Sequence, residues 1–175
     1  DDLSRGLGDV YKRQNEGSLN ANGGVVQLSG QTAENLMLGS VNIGTNGVIS
    51  ATTVDQGTGN IIIGGERNNL VSIEGKIDLS ASTPSTPSGN LNITGTNVYY
   101  GGNTNASGSN GGKISVTTKE MLVLDSSIVA RGLQGNGGDL MIVSEDALLS
   151  TARTNVDMSG SVNGGSIKLH ADSHN

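Results

Sequence analysis

The sequence predicts an all-β fold: a right-handed parallel β-helix, a solenoid with three short strands per coil and roughly seven coils. Three observations predict it. A phrase of glycine followed by aliphatic residues at alternate positions returns at intervals of tens of residues. Its polar and aliphatic residues alternate with the period of a half-buried strand. The 175 residues include 28 glycines and only 2% aromatic side chains, which suits a narrow interior filled by small aliphatics.

The glycine phrase marks the predicted first strand of each coil. Three copies are clearest: GGKISV at Gly111 to Val116, GGDLMI at Gly137 to Ile142 and GGSIKL at Gly164 to Leu169. Looser copies begin upstream at Gly17, Gly23, Gly47, Gly59, Gly75 and Gly89. The second glycines of the three clear copies are 26 and 27 residues apart, and Gly89 precedes Gly112 by 23 residues. The period therefore varies, as expected when insertions fall in corners while strands keep their length.

The coil from Gly111 to Asn136 shows all three predicted strands. Aliphatic residues two positions apart define them in order, as Ile114 with Val116, Leu122 with Leu124, and Ile128 with Ala130. Polar residues between these pairs predict the corners. The next coil repeats the order, with strands at Leu140 to Ile142, Ala147 to Leu149 and Val156 to Met158. Asparagine tolerates a left-handed backbone, so six are predicted at corners: Asn42, Asn46, Asn68, Asn69, Asn97 and Asn163.

The predicted solenoid covers residues 15–175, as a piece of a longer rod. Residues 1–14 contain no copy of the phrase and are expected to be a non-native, adapter-like or disordered lead-in. Three polar or irregular segments are predicted as loop insertions, near residues 31–46, 81–89 and 101–111. Pro84 and Pro87 cannot donate to a ladder, so the second loop should bulge from the rod. We interpret these loops as tolerated insertions, and if the rod carries a local recognition surface we expect it on them.

Composition excludes several classes of function. Cysteine is absent, so disulfides and thiolate metal sites are excluded. The formal net charge of −6 provides no basic stripe for a nucleic-acid partner. No apolar run approaches the ~18–20 residues of a membrane span. The opening residues also lack the apolar segment of a signal peptide.

Side chains with catalytic or ligating chemistry are few. Some β-helix enzymes cleave acidic polysaccharides with clustered carboxylates, for which the candidates are Asp125, Asp139, Glu145, Asp146 and Asp157. Their spacing does not force any two onto adjacent coils, so we interpret them as solvated corner residues and predict no catalytic residue. His170 and His174 lack partner ligands, so we predict no metal or cofactor site. Asn92 and Asn105 fit the N-x-[ST] glycosylation pattern, which arises by chance in such a composition.

Two stretches resemble the filamentous haemagglutinin-like exoproteins of Gram-negative bacteria. Gly17 to Ala51 is similar to their succession of a Gly-Gly strand, a short side excursion and a strand ending in I-x-A, and GGKISVTTKEMLVLDSSIVARG is similar to their repeat unit. The resemblance covers about Gly17 to Leu169. It implies a fibrous adhesin, secreted or on the cell surface, that acts as a rod for adhesion or aggregation. It also implies two-partner secretion through an outer-membrane β-barrel transporter, and binding to glycans or proteins of host or neighbouring cells.

Two alternatives remain open. A polysaccharide-processing β-helix or a phage tail spike needs a carboxylate cluster in a groove and aromatic side chains that stack on sugars. Only Tyr99 and Tyr100 are available for such stacking. An autotransporter passenger has the same rod but carries its own carboxy-terminal barrel.

Overall fold

The computed structural model describes residues 12–29, 39–54, 57–64 and 68–172, and within these ranges all regular elements are β-strands. The all-β prediction is therefore confirmed. The strands are β1 Lys12–Asn15, β2 Ser18–Asn20, β3 Val25–Leu28, β4 Gly39–Ile43, β5 Val48–Ser50, β6 Asn60–Gly64, β7 Asn68–Ile73, β8 Lys76–Asp78, β9 Asn90–Gly95, β10 Asn97–Tyr100, β11 Asn103–Asn105, β12 Lys113–Thr118, β13 Met121–Leu124, β14 Ser127–Val129, β15 Asp139–Ser144, β16 Ala147–Ser150, β17 Asn155–Asp157 and β18 Ser166–Ala171.

Every third strand belongs to the same sheet. Sheet A contains β1, β4, β7, β10, β13 and β16 in that order, sheet B contains β2, β5, β8, β11, β14 and β17, and sheet C contains β3, β6, β9, β12, β15 and β18. Each strand pairs in parallel with the strand one coil before it and one coil after it, as β12 does with β9 and β15. The predicted parallel solenoid with three strands per coil is confirmed.

The prediction of roughly seven coils is wrong. Each sheet has six strands joined by five steps, so the described chain makes about five turns. Val25 pairs with Asn60, which is 35 residues later, and Asn60 pairs with Asn90, which is 30 residues later. Asn90 and Lys113, in contrast, are 23 residues apart. The prediction divided the chain by that shortest period and so counted too many coils.

The interior consists of aliphatic columns that run along the rod. The inward positions of sheet C form two of these columns over four coils, and none of their members is more than 2% exposed. They are Ile61, Leu91, Ile114 and Leu140 in one column, and Ile63, Ile93, Val116 and Ile142 in the other. Burying one such side chain stabilises the fold by about 1.5–3 kcal/mol, so these columns are a main source of stability.

The second glycine of the repeated phrase lies where successive coils approach most closely. A Cβ atom on Gly112 would overlap the carbonyl oxygen of Gly89, and the same overlap relates Gly138 to Gly112 and Gly165 to Gly138. None of these four glycines has a positive φ. The phrase therefore requires glycine for close approach of the backbones rather than for a left-handed conformation.

The corner asparagines differ from the prediction. Asn42, Asn68, Asn69 and Asn97 lie in strands, while Asn46 and Asn163 lie in turns or bends. Within the described ranges only glycines have a positive φ, at Gly23, Gly64 and Gly102, so a left-handed asparagine corner is wrong there. The Asn163 side chain instead donates from Nδ2 to Oδ1 of Asn136, at 3.0 Å, one coil earlier. A hydrogen bond to the preceding coil, rather than a left-handed local turn, therefore stabilises this corner.

Strands extend into three of the segments predicted to be irregular. β1 pairs with β4 from Lys12 onward, so three residues of the predicted lead-in belong to a strand, while residues 1–11 lie outside the described residues. Gly39–Ile43 forms β4 within the predicted loop near 31–46, and residues 31–38 are not described. The predicted loop near 101–111 contains β11. Thr104 occupies the inward position of this strand and is only 3% exposed.

The loop near residues 81–89 is an ordered corner. Its tip is a turn in which the Thr86 amide donates to the Thr83 carbonyl at 3.2 Å, and Pro84 and Pro87 are exposed. The Thr86 carbonyl then accepts a hydrogen bond of 2.7 Å from the Ser109 amide on the next coil. The loop is thus bonded to its neighbour on the following coil.

Candidate functional site

The outer surface has three faces, one for each sheet, because alternate residues of every strand point outward. An open groove of about 830 Å³ lies on the face of sheet C and crosses all six of its strands. We call it the sheet C groove. Its outward side chains include Asn60, Ile62, Asn90, Asn92, Lys113, Ser115, Asp139, Met141, Ser166 and Lys168.

Polar side chains bond along the rod axis in this groove. Strand register aligns one row of outward residues: Asn60, Asn90, Lys113, Asp139 and Ser166. Asn90 donates from Nδ2 to Oδ1 of Asn60 at 3.0 Å. Ser166 donates from Oγ to Oδ1 of Asp139 at 2.8 Å. The groove thus offers amides, a carboxylate and two lysines beside Ile62 and Met141, which is the mixture that fixes a polar ligand by hydrogen bonds.

The face of sheet B is polar and charged. At the end of three of its strands, a side-chain oxygen accepts a hydrogen bond from the backbone amide two residues later. These bonds are Ser80 to Asp78 at 3.1 Å, Ser107 to Asn105 at 3.2 Å and Ser159 to Asp157 at 3.0 Å. Arg131 also donates from Nε to Oδ2 of Asp157 at 2.6 Å. The Ser159 hydrogen bonds first, and then Arg131, lower the pKa of Asp157 to about 2. On this face, the side-chain oxygens of Asp78, Asn105 and Asp157 thus bind backbone amides at the strand ends.

A polar network joins three successive coils at the corner between sheets A and B. Its centre is Asp125, whose side chain is 3% exposed. The hydroxyl of Tyr99, one coil earlier, donates to Oδ2 of Asp125 at 2.7 Å. From one coil later, the Thr151 hydroxyl donates to Oδ1, and Arg153 contacts both oxygens, with its Nε at 3.0 Å from Oδ1. We call these four residues the Asp125 network.

Every donor of the network favours the charged carboxylate. The hydrogen bond from Thr151, then that from Tyr99, and the Arg153 guanidinium lower the pKa of Asp125, against the opposing effect of burial. The same hydrogen bond to Asp125 raises the pKa of Tyr99. Because the carboxylate is paired and enclosed, we assign the network to holding coils together rather than to proton transfer with a substrate.

The face of sheet A differs from the other two. Over β7, β10, β13 and β16, its eight outward positions carry no charged side chain. These residues, which we call the sheet A face, are Leu70, Ser72, Asn97, Tyr99, Met121, Val123, Ala147 and Leu149. Leu70, Met121 and Leu149 are 45%, 46% and 58% exposed. This surface is therefore an uncharged strip in which five apolar side chains lie beside the polar Ser72, Asn97 and Tyr99.

The five predicted carboxylates do not form a pair. Asp125 follows β13, Asp139 begins β15, Asp157 ends β17, and Glu145 and Asp146 lie between β15 and β16. In the sheet registers, Asp139 faces Lys113 and Ser166, and Asp157 faces Val129. No two of the five therefore occupy equivalent positions on adjacent coils. Their interpretation as solvated residues is wrong for Asp125, which the network encloses.

The remaining predicted residues lie apart from one another. His170 is on β18, where its Nε2 is 2.9 Å from Oδ1 of Asp172, and His174 lies outside the described residues. Asn92 is exposed in the sheet C groove, whereas Asn105 uses its side chain oxygen in the sheet B corner. Tyr100 is fully buried and donates or accepts a hydrogen bond with Thr104 at 2.7 Å, so its predicted availability for stacking on sugars is wrong.

No group of three or more histidine, cysteine, aspartate or glutamate side chains in the described residues could hold a metal ion. Nor does any helix there have the length and apolar character needed to span a membrane.

Comparisons with protein-family models, with curated proteins and with solved structures find no match to this chain. The class of molecule is therefore defined by its architecture, which over the described residues is a parallel β-solenoid of about five turns with three sheets.

Proposed function

We propose that the protein is a fibrous adhesin of the filamentous haemagglutinin-like type, secreted or on the surface of a Gram-negative bacterium, with a right-handed coil. It acts as a structural rod for adhesion or aggregation. One observation carries the proposal: each described strand pairs with the strands one coil away, so the described part of the chain presents three regular outer faces for contacts. The resemblance of Gly17 to Ala51 and of the glycine phrase to those exoproteins adds to it.

The pairing pattern also supports the proposed export route. Because every coil needs only the preceding coil as a template, folding can propagate along the chain as it emerges from a pore. A substrate of two-partner secretion has to fold in this way as it emerges from its outer-membrane β-barrel transporter. The absence of cysteine suits the route, because no disulfide can form before passage.

The sheet C groove is the surface that we propose for ligands of the adhesin. Glycans and proteins of host or neighbouring cells present hydroxyl, amide and carboxyl groups, which match the asparagine, aspartate and lysine side chains of the groove. Lys113 and Lys168 are exposed there and lie outward on neighbouring rows of the sheet.

The hydrolase and tail-spike alternative has less support. A glycosidase needs two carboxyl groups at a defined separation across the scissile bond. Two acidic pairs of the described residues do stack on adjacent coils. The Glu145 amide donates to the Thr118 carbonyl as the Asp172 amide donates to that of Ser144, and Glu120 and Asp146 directly precede the paired residues Met121 and Ala147. All four side chains are exposed, and His170 contacts Asp172. An autotransporter passenger shares the same rod and the same faces.

A bead assay tests adhesion against hydrolysis. Beads coated with the purified chain are incubated with epithelial and bacterial cells, and the chain is incubated separately with acidic polysaccharides. We expect attachment of the coated beads and no release of reducing ends. The Lys113→Ala, Lys168→Ala double variant should attach several-fold less, while Lys76→Ala on sheet B serves as the matched control. Release of reducing ends, or no attachment to any cell type, would contradict the proposal.

A further inference from the structure

Five asparagines of the chain are followed directly by a glycine. They are Asn22, Asn46, Asn110, Asn136 and Asn163. The last three lie at the corner between sheets B and C on three successive coils. An asparagine in such a pair is intrinsically prone to lose its side-chain amide, because glycine has no Cβ to shield the backbone nitrogen that follows the asparagine. Local structure then decides which of the five can react.

The reaction needs a free backbone nitrogen. The glycine nitrogen attacks the side-chain carbon Cγ of the asparagine, a bond forms between the two atoms, and the side-chain nitrogen leaves as ammonia with the proton that the glycine nitrogen loses. Water then opens the resulting cyclic imide. Attack of water on Cγ gives aspartate, and attack on the backbone carbonyl carbon gives isoaspartate, in which the main chain runs through the side chain. A glycine amide that donates a hydrogen bond, or whose backbone cannot rotate, is therefore protected.

Stacking of the next coil restrains the pairs at Asn110 and Asn136. The Gly111 amide donates to the Asn136 carbonyl at 2.9 Å, and the Gly137 amide donates to the Asn163 carbonyl at 2.9 Å. A Cβ atom on either glycine would overlap backbone atoms of the following coil. Both pairs are thus packed against that coil, and their nitrogens become free only after local opening.

The first two pairs are restrained as well. The Gly23 amide donates to the carbonyl of Thr52, one coil later, at 2.7 Å. The Gly47 amide donates to the Gly44 carbonyl at 2.8 Å, within its own turn, and Gly47 is buried. In four of the five pairs the attacking nitrogen is therefore already engaged in a hydrogen bond.

The pair at Asn163 has neither restraint. The Gly164 amide has no hydrogen-bond partner among the described residues. A Cβ atom built on Gly164 would meet no atom within 4 Å, so the backbone has room to rotate. Both residues are exposed, which admits the water that opens the imide. The side chain of Asn163 is tethered at its nitrogen, which lies 3.0 Å from Oδ1 of Asn136.

We propose that Asn163 is a site of spontaneous deamidation, in which the Gly164 nitrogen is the nucleophile, and that coil stacking protects Asn110 and Asn136 from the same reaction. The product carries a carboxylate where Asn163 has its Nδ2 donor, so the hydrogen bond to Asn136 is lost. The corner also gains a negative charge on a chain that is already acidic.

Isoaspartate changes the packing further. It adds one carbon to the main chain at position 163, and Gly165 follows two residues later. Gly165 packs against the Gly138 carbonyl with no room for a Cβ atom. Because Ser166 begins β18, a displacement here alters how β18 stacks on β15. Modification at this corner therefore loosens one coil from the coil before it.

Peptide mapping by mass spectrometry tests the proposal on the purified, folded chain. The chain is incubated at mildly alkaline pH, and the five asparagine–glycine peptides are followed over time. We expect Asn163 to convert at least about tenfold faster than Asn110 and Asn136, since those two react only after local opening. The chain unfolded in urea is the control for intrinsic reactivity, and there all five pairs should convert at similar rates.

Gly164→Ala separates attack by the backbone nitrogen from direct hydrolysis by water. Gly164 has no positive φ and its Cβ position is open, so alanine fits without strain. The added methyl group shields the nitrogen, and conversion of Asn163 should slow several-fold or more. Circular dichroism checks that this variant keeps the wild-type fold.

Several results would overturn the inference. Asn110 or Asn136 could convert as fast as Asn163 in the folded chain, or Asn163 could stay intact in the folded chain while it converts in urea. Conversion of Asn163 at the wild-type rate in Gly164→Ala would exclude the backbone nitrogen as the nucleophile. Hydrogen exchange is a second measurement, because the Gly164 amide should exchange faster than those of Gly111 and Gly137. Equal protection of the three amides would contradict the proposal.

Discussion

The interior behind sheet C and the corner between sheets A and B hold successive coils together by different means. Behind sheet C, two columns of isoleucine, leucine and valine stack over four coils without a polar atom in their side chains. At the corner, the Asp125 network supplies hydrogen bonds between coils instead, and the Tyr100–Thr104 pair supplies a buried hydrogen bond within one coil. The columns provide non-directional burial, whereas the corner provides directional bonds that fix how one coil sits on the next.

This difference predicts an order of sensitivity. Deleting a column side chain leaves a cavity that flat, parallel neighbours cannot fill, because their backbones are fixed by the ladder on both sides. Deleting a corner group removes hydrogen bonds but little apolar packing, and the cost is larger where the partner is buried, as for Tyr100 and Thr104, than where it is near solvent. The column variants should therefore cost the most free energy of unfolding and the solvent-accessible corner variants the least.

The largest effect is expected for Ile114→Ala. Ile114 is 1% exposed and lies between Leu91 and Leu140 in its column. The change should lower the free energy of unfolding by about 2–5 kcal/mol. Ile62→Ala is the matched control, because Ile62 faces outward from the same sheet, and it should cost about 1 kcal/mol or less. Urea unfolding followed by circular dichroism measures both, and equal losses would contradict the assignment of inward and outward positions.

A smaller effect is expected for Tyr100→Phe. The Tyr100 and Thr104 hydroxyls are both buried and lie 2.7 Å apart, and burial raises the pKa of Tyr100. Removing one hydroxyl leaves the other without this partner and should cost about 1–3 kcal/mol. The double variant Tyr100→Phe, Thr104→Val should recover part of that loss, because no unpaired hydroxyl remains. Additive losses in this double-mutant cycle would show that the two hydroxyls are not coupled.

The sequence predicts those parts of the fold that depend on aliphatic periodicity. Ile114, Val116, Leu122 and Ile128 mark strands that the structure contains, because alternation with period two is a local signal. β11 was missed because its inward residue is Thr104, a polar side chain that satisfies its hydroxyl through Tyr100. The number of coils was wrong because coil length depends on corner insertions, which carry no periodic signal.

The outer surface was less predictable than the strands. The sheet C groove and the sheet A face arise from residues about 23–35 positions apart, which the strand register places side by side. The Asp125 network had one usable signal: Tyr99 precedes Asp125 by 26 residues and Thr151 follows it by 26, close to one coil. Composition alone could not distinguish this enclosed carboxylate from the exposed Asp139, because both are single aspartates beside polar residues.

The smallest effect on stability is expected at the Asp125 network, and it can be measured as a change in how the melting temperature falls at acidic pH. The donors of the network lower the pKa of Asp125 in the folded chain, below the value of about 3.9 in the unfolded chain. The stabilisation is therefore complete above about pH 4 and is lost as the pH falls through the folded pKa, since the unfolded chain takes up the proton first. Asp125→Asn should flatten the fall in melting temperature below pH 4.

A second carboxylate with a lowered pKa, that of Asp157 on sheet B, extends this test. Asp157→Asn should flatten the curve between about pH 4 and pH 2, because the folded pKa of Asp157 is about 2. If both variants follow the wild-type curve, neither carboxylate contributes to acid stability, and the aliphatic columns and the backbone ladders hold the coils together.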